Sequence, residues 1–386
     1  MAKFRYVILE QDLAKASGLD GGTETIDLPL TGILTELTIQ VRSTGALSDD
    51  MVTPMWVILN KIEVLVNGSQ VVKSLSGEKI RALEWYNKGP FAMSYDYWSE
   101  DSSNARYNSF TLYFNRFHGD TAYGLNCASY KNPQLKITWD TTATSYDGMT
   151  FDAHTDPTMT FSIIAKMLEG TPVGWQNKYV KTSVIDTWTT AASTTHKTEI
   201  PLGFPLRGLM YRGAYTGINM EYTLESIKLD FDNGMWVPID LNYAQFWNVF
   251  KSWYPEPVVV GGTIRVKDSV EWDPQVYKIV SMSFAPQGAT NIVIGKTSSR
   301  HNLGTIMALT ATTAAASAMG TMYCGVMGWG PMQSLYIPMG KLTDGVAETI
   351  DTNGYERIVL SCTAGASSGS SGSQYLVAEY DIPNGR

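Results

Sequence analysis

Ile62-Glu63-Val64-Leu65-Val66-Asn67-Gly68-Ser69-Gln70-Val71-Val72 decides the fold. Apolar residues run on both sides of Asn-Gly, the strongest short-range signal for two antiparallel strands joined by a tight turn. Ser76–Asn87 follows and reads as a short amphipathic helix. Ser76 is a good N-cap, Glu78 lies in the first turn where the helix dipole favours an acid, and Gly89-Pro90 is a stop signal. The series recurs as Ile227-Lys228-Leu229-Asp230-Phe231-Asp232-Asn233-Gly234-Met235-Trp236-Val237, followed by Asn242–Trp253. Laying Gly68 on Gly234 puts Ser76 on Asn242, another N-cap residue. The second helix carries the cleaner stripe, with Phe246, Val249, Phe250 and Trp253 at i, i+3, i+4 and i+7.

The flanking segments repeat too. Leu28-Pro29-Leu30 matches Ile200-Pro201-Leu202, and Ser109–Phe114 matches the segment around Gln333–Ile337. With Leu112-Tyr113 on Leu335-Tyr336, Leu135 falls on Ile358 and Ile137 on Leu360. The closing strand Thr158–Met167 has its counterpart in Gln374–Tyr380. The two registers differ by about 57 residues, an insertion in the second half that lies within Pro257–Met332. Insertions between strands go to loops at one end of a sandwich, so a loop insertion is expected there. The expected division is an N-terminal arm at 1–22, a first unit at 23–178 and a second at 179–386 with a large loop insertion within 257–332. The fold class is all-β: two tandem eight-stranded jelly rolls, each with a short helix and long loops.

Composition supports this. The chain has 386 residues, 44% of them hydrophobic, so it can build cores and has room for two domains. The net charge is −8 and the cations are scattered, which argues against an extended nucleic-acid-binding face. Cys127, Cys324 and Cys362 are an odd, widely spaced set and a poor disulfide framework. Lys3 and Arg5 border only Tyr6–Leu9 as an apolar run, too short for a signal-peptide core. No Asp, Glu, Lys or Arg lies between Arg300 and Lys341, yet Thr, Ser, Gly, Pro331 and Pro338 oppose a spanning helix.

Chemistry-bearing patterns are weak. His118, His154, His196 and His301 have no zinc-type spacing to one another or to a cysteine, so no metal site is expected. Gly365-Ala366-Ser367-Ser368-Gly369 matches G-x-S-x-G, but a Gly/Ser run follows where a nucleophile elbow needs a helix. Asp230 and Asp232 would point to one face of a strand, without a third oxygen ligand close in sequence. No cofactor fingerprint is present, and no catalytic residue is assigned. Aromatics are enriched, with 11 Trp and 21 Tyr, and Phe91, Tyr95, Tyr97 and Trp98 cluster in one segment. Exposed aromatics serve sugar-binding sandwiches, and they also serve subunit interfaces, the reading preferred here.

The element order resembles the major capsid proteins of the double jelly-roll lineage, which build tailless icosahedral viruses, many with an internal membrane. Asn60–Leu75 with its following helix, Leu112-Tyr113-Phe114 through Trp139, and the copies at Ser226–Trp253 and Leu335–Thr363 carry the resemblance. It implies a non-enzymatic virion protein, made in the host cytoplasm, that forms pseudo-hexagonal homotrimers tiling a shell. Its partners would be itself, neighbouring capsomers, minor capsid and vertex proteins and internal membrane lipid, with no sequence-specific nucleic acid. It also implies an N-terminal arm lying underneath, in which Lys3, Phe4, Arg5 and Tyr6 would face an anionic headgroup layer or a neighbouring subunit. A minor capsid or spike protein of the same lineage is one alternative; a tandem jelly-roll glycan-binding protein or glycan hydrolase is the rival from another class.

Overall fold

The structure is a computed structural model that describes residues 3–15, 21–44, 55–88, 106–140, 145–146, 149–150, 158–213, 223–266, 276–287, 292–296, 306–311, 320–343, 346–366 and 373–385. Phe91–Trp98, His154, His301 and most of the G-x-S-x-G match lie outside the described residues.

The first half contains β1 (Lys3–Lys15), β2 (Gly22–Asp27), β3 (Ile33–Thr44), α1 (Met55–Ile58), β4 (Lys61–Val66), β5 (Gln70–Leu75), α2 (Gly77–Tyr86), β6 (Arg106–Tyr113), β7 (Leu125–Asn126), β8 (Gln134–Trp139), the short pair β9 (Ser145–Tyr146) and β10 (Met149–Thr150), and β11 (Thr158–Glu169). One sheet runs β1-β11-β3-β6, with β7 beside β3; the other runs β2-β8-β4-β5. Alternation turns Leu37, Ile39, Val41, Phe110, Leu112, Phe161 and Ile163 of the first sheet inward. They meet Ile26, Ile62, Val64, Leu135 and Ile137 of the second, and all are buried.

The second half contains β12 (Lys178–Thr189), β13 (Thr195–Glu199), β14 (Leu206–Arg212), β15 (Ser226–Phe231), β16 (Trp236–Asn242), α3 (Tyr243–Trp253), β17 (Val258–Val266), β18 (Val276–Gln287), β19 (Ile292–Lys296), β20 (Ile306–Ala311), β21 (Gly320–Pro331), β22 (Ser334–Pro338), β23 (Leu342–Thr343), β24 (Val346–Ala347), β25 (Ile358–Thr363) and β26 (Ser373–Pro383). Its sheets run β12-β26-β14-β22 and β13-β25-β15-β16. Strand for strand this repeats the first half: β1 corresponds to β12, β11 to β26, β3 to β14, β6 to β22, β2 to β13, β8 to β25, and the β4–β5 hairpin to β15–β16. The rolls join edge to edge. β5 pairs in parallel with β12 through Lys73↔Thr182 and Ser74↔Ser183, making one eight-stranded sheet.

Backbone hydrogen bonds fix the register between the copies. Phe114 N donates to Thr35 O and Met339 N to Arg207 O; Leu28 N donates to Pro133 O and Ile200 N to Ile358 O; Gly77 N donates to Leu59 O and Tyr243 N to Glu225 O. Thr35 and Arg207 each sit at a bulge, between Leu34 and Glu36 and between Leu206 and Gly208. Leu112 therefore corresponds to Ile337, and Leu135, not Ile137, to Leu360. This corrects the sequence register by two residues. A two-residue slip keeps every side chain on its own face, so alternation could not detect it.

Three local expectations also change. The hairpin turns differ: Val66 pairs Gln70, with Asn67 and Gly68 at positive φ, whereas Phe231 pairs Trp236 around Asp232, Asn233 and Gly234, all at positive φ. Between Pro257 and Met332, β17, β21 and β18 pair as a three-stranded sheet, where loops were expected. Residues 3–15, expected within an arm, pair with β11 as the outer strand of the first sheet.

Candidate functional site

The most elaborated chemistry among the described residues lies in the seam between the rolls. The outer face of β12-β26-β14-β22 is covered by the first roll, and polar side chains line the contact. Lys73 Nζ donates to Thr182 Oγ1 at 2.6 Å, Thr182 donates to Glu379 Oε1 at 3.1 Å, and Tyr336 donates to Glu379 Oε2 at 2.7 Å. The Tyr336 hydroxyl occupies the space beside Gly208, where a Cβ would come within 2.2 Å of it. Burial lowers the Lys73 ammonium to about 7, with Glu379 attracting and Arg207 repelling its charge.

Two more groups complete the seam. Arg207 holds Asp381 Oδ1 through Nε at 3.0 Å and Nη2 at 2.6 Å and donates from Nη1 to Ala347 O, while Tyr123 of the first roll donates to Asp381 Oδ2 at 2.8 Å. Glu78, at the start of α2, pairs with Arg212 Nε at 2.9 Å and accepts from the Tyr375 hydroxyl at 3.2 Å. At the other end of α2, Tyr86 donates to Ser334 O at 2.8 Å and its ring lies 5.3 Å from Tyr336. The C-terminal residues lock back onto the first roll: Asn126 N donates to Asn384 Oδ1, and Gly385 N to the Tyr130 hydroxyl. Apart from Asn126, Asn384 and Gly385, these residues are buried, and they bond to one another across the seam. Such networks impose a unique docking geometry and offer little room for a substrate.

The chemistry-bearing residues singled out in the sequence do not converge. His118 Nδ1 lies 3.1 Å from Glu36, which also holds Lys166 at 2.9 Å, whereas His196 Nε2 lies 2.8 Å from Asp186 and stacks at 4.2 Å on Trp188. Thr198 gives its hydroxyl hydrogen to Asp186, so it is not activated by His196. Asp230 and Asp232 do not share a strand face, because Asp232 belongs to the turn. Asp230 accepts from Gly234 N, and Asp232 from Glu356 N and Arg357 N, so both carboxylates satisfy backbone amides. Among the described residues no group of three His, Cys, Asp or Glu could hold a metal ion, and no helix is long and apolar enough to cross a membrane. Cys127 and Cys362 are buried, and burial pushes the Cys127 thiol up to about 12. A cleft of about 480 Å³ lies between the ends of α2 and α3, lined by Trp85, Tyr86, Trp253 and Tyr254.

Lys3, Phe4, Arg5 and Tyr6 lie on β1, opposite Glu169, Leu168, Met167 and Lys166. Arg5 Nε is 2.9 Å from Glu169, and Lys166 Nζ lies 4.7 Å from the centre of the Phe4 ring. Phe4, Tyr6 and Ile8 are 40%, 66% and 60% exposed and alternate onto one side of the strand. The sequence singled out the end of this strand but missed that Ile8 continues it. It also missed the seam, whose charged residues lie far apart in the chain.

No protein-family profile and no curated protein matches the chain. Solved structures do. The crystal structure of the STIV MCP superposes with a TM-score of 0.57 at 12% identity, covering 99% of this chain and 97% of that one. A structure of Sulfolobus Turreted Icosahedral Virus gives 0.57 at 11%, with 99% and 91% covered. The crystal structure of PBCV-1 VP54 gives 0.55 at 10%, with 100% and 95% covered. At these identities the likeness is one of fold, and it spans both rolls from end to end: the chain has the double jelly-roll fold found in viral major capsid proteins.

Proposed function

We propose that the chain is a major capsid protein that acts by shape and self-association. Three copies place six jelly rolls in a pseudo-hexagonal ring, and such capsomers tile an icosahedral shell in the virion. The observation that carries this reading is the duplication. Two rolls of the same topology are joined edge to edge, and each roll uses a different part of its surface for the join. Such a contact is heterologous, and repeated from copy to copy it closes into a ring or runs on as a filament. The full-length likeness to capsid proteins favours the ring. Minor capsid and vertex proteins and an internal membrane are further partners in this reading. Light scattering of purified protein checks it: three times the chain mass, with roughly hexagonal particles in negative stain, is expected. A species that stays at one chain mass at high concentration would sink it.

A further inference from the structure

We propose where one copy meets the next, an inference that rests on the ring-forming reading above. The free edge of β16 and the exposed side of α3 dock on the β1 edge and outer face of the next copy's first roll. Within one chain, the first roll offers the β5 edge and α2, and the second roll accepts them on the β12 edge and the outer face of β26 and β14. Each of those surfaces has an equivalent that is left unused among the described residues.

The equivalences follow from the register. β5 corresponds to β16, the last strand of its sheet, and β12 to β1, also the last of its sheet. Tyr6 pairs Lys166 and Val7 pairs Ala165 as Thr182 pairs Glu379 and Ser183 pairs Ala378. Phe4 and Tyr6 therefore hold the places of Val180 and Thr182. Val180 and Thr182 are 2% and 1% exposed beneath the first roll, whereas Phe4 and Tyr6 stand open at 40% and 66%. On the donor side, Leu75 pairs Ile62 as Leu241 pairs Ile227, so Ile239 and Asp240 take the places of Lys73 and Ser74. The parallel bridge Lys73↔Thr182, Ser74↔Ser183 then has its counterpart in Ile239↔Tyr6, Asp240↔Val7 between copies.

The helices agree independently. On α2 the residues Glu78, Ala82 and Tyr86 are buried, with Glu78 and Tyr86 held by Arg212, Tyr375, Ser334 and Tyr336 of the second roll. Their equivalents on α3 are Ala244, Asn248 and Ser252, one continuous i, i+4, i+8 side, and all three are exposed. The surface that would receive them carries Gln40, Ser162, Ser109 and Thr111, the equivalents of those four partners and none of them fully buried. Small uncharged side chains thus face uncharged polar groups where the seam has buried ions. The apolar contribution moves to Phe4 and Tyr6, exposed residues of the β1 edge. Pairing also satisfies two strand edges that would otherwise be open to uncontrolled association.

A cysteine pair tests the placement in the full chain. Val7→Cys with Asp240→Cys is expected to form, on mild oxidation, covalent dimers and trimers and nothing larger, because a ring of three closes; either single variant gives none. A protein of three chain masses that fails to cross-link overturns this surface and leaves the trimer standing. A protein of one chain mass overturns both. Asn248→Arg, on the exposed side of α3, provides a second arm with the fold checked by circular dichroism. At least a tenfold weaker assembly is expected, and unchanged assembly overturns the proposal.

Discussion

Helices α2 and α3 occupy the same place in their rolls and are held in opposite ways. α3 is a surface helix with one apolar side: Phe246, Trp247 and Phe250 are buried and its polar residues face out. Trp247 replaces Val249 and Trp253 in the expected stripe because β21 of the insertion stands beside it, with Trp329 at 6.1 Å. α2 is enclosed on nearly all sides, between its own sheet and the second roll. It buries Glu78, Arg81 and Glu84 as well as Ile80 and Leu83. Amphipathicity reports how many sides of a helix are covered, and it fails as a guide when a second domain covers the polar side too.

The comparison can be broken most severely at Glu78. Glu78→Ala leaves Arg212 buried without its carboxylate, and a loss of about 3–5 kcal/mol in denaturant unfolding is expected. Ala244→Asp, at the equivalent exposed place on α3, should change the stability of a single chain by less than about 0.5 kcal/mol. Similar losses at both sites would mean that α3 is covered as α2 is.

Next in size is a pH effect of a few kcal/mol. Burial raises the Glu84 carboxyl to about 7, partly opposed by Arg81 and a hydrogen bond from Thr111 N. Between 4.5, its unfolded value, and about 7 the folded state binds more protons than the unfolded chain, so stability falls as pH rises through that window. Lys73 has the opposite effect. Between about 7 and 10.5 the unfolded chain binds more protons, so stability rises with pH. Urea midpoints at pH 5, 7 and 9 should therefore show Glu84→Gln removing part of the fall and Lys73→Met part of the rise. A wild-type-like profile in both variants would refute the assignment.

The smallest effects distinguish the caps. Asn242 accepts from Gln245 N at 3.0 Å and Gln245 Oε1 accepts from Asn242 N at 3.1 Å, a reciprocal capping box. Asn242→Ala should cost about 1 kcal/mol. Ser76 occupies the same position on α2, but its hydroxyl accepts from Lys79 Nζ at 3.0 Å and makes no cap bond. Ser76→Ala should therefore cost only a few tenths of a kcal/mol, well below a working cap. Equal losses in thermal melts would place a working cap on both helices.

The fold was largely legible in the sequence because each strand carries its own in-out alternation and each hairpin its own turn residues. Asn67-Gly68 and Asp232-Asn233-Gly234 mark two left-handed turns without help from distant residues. The paired N-caps and the Leu28-Pro29-Leu30 and Ile200-Pro201-Leu202 match placed the copies correctly, since local signals need only local context. The match of Leu112-Tyr113 to Leu335-Tyr336 failed by two residues because only ladder hydrogen bonds distinguish one register from another of the same parity. The strands between Pro257 and Met332 were hidden by a Gly- and Thr-rich composition that reads as loop.

The candidate assembly surface was legible only in part. Phe4 and Tyr6 stand out as aromatics beside cations, and their sequence neighbours already pointed to a membrane or a subunit. Tertiary structure alone decided that they lie on the outer strand of a sheet, with Arg5 against Glu169, in the place where Val180 and Thr182 are covered. Alternation, turns and caps are properties of a few consecutive residues, so the sequence determined two repeated all-β units and their helices. The joining of β5 to β12 and the ion pairs Glu78–Arg212 and Arg207–Asp381 bring together residues far apart in the chain. Which face of each roll is buried therefore depended on how the rolls dock, and no single stretch of the chain records that.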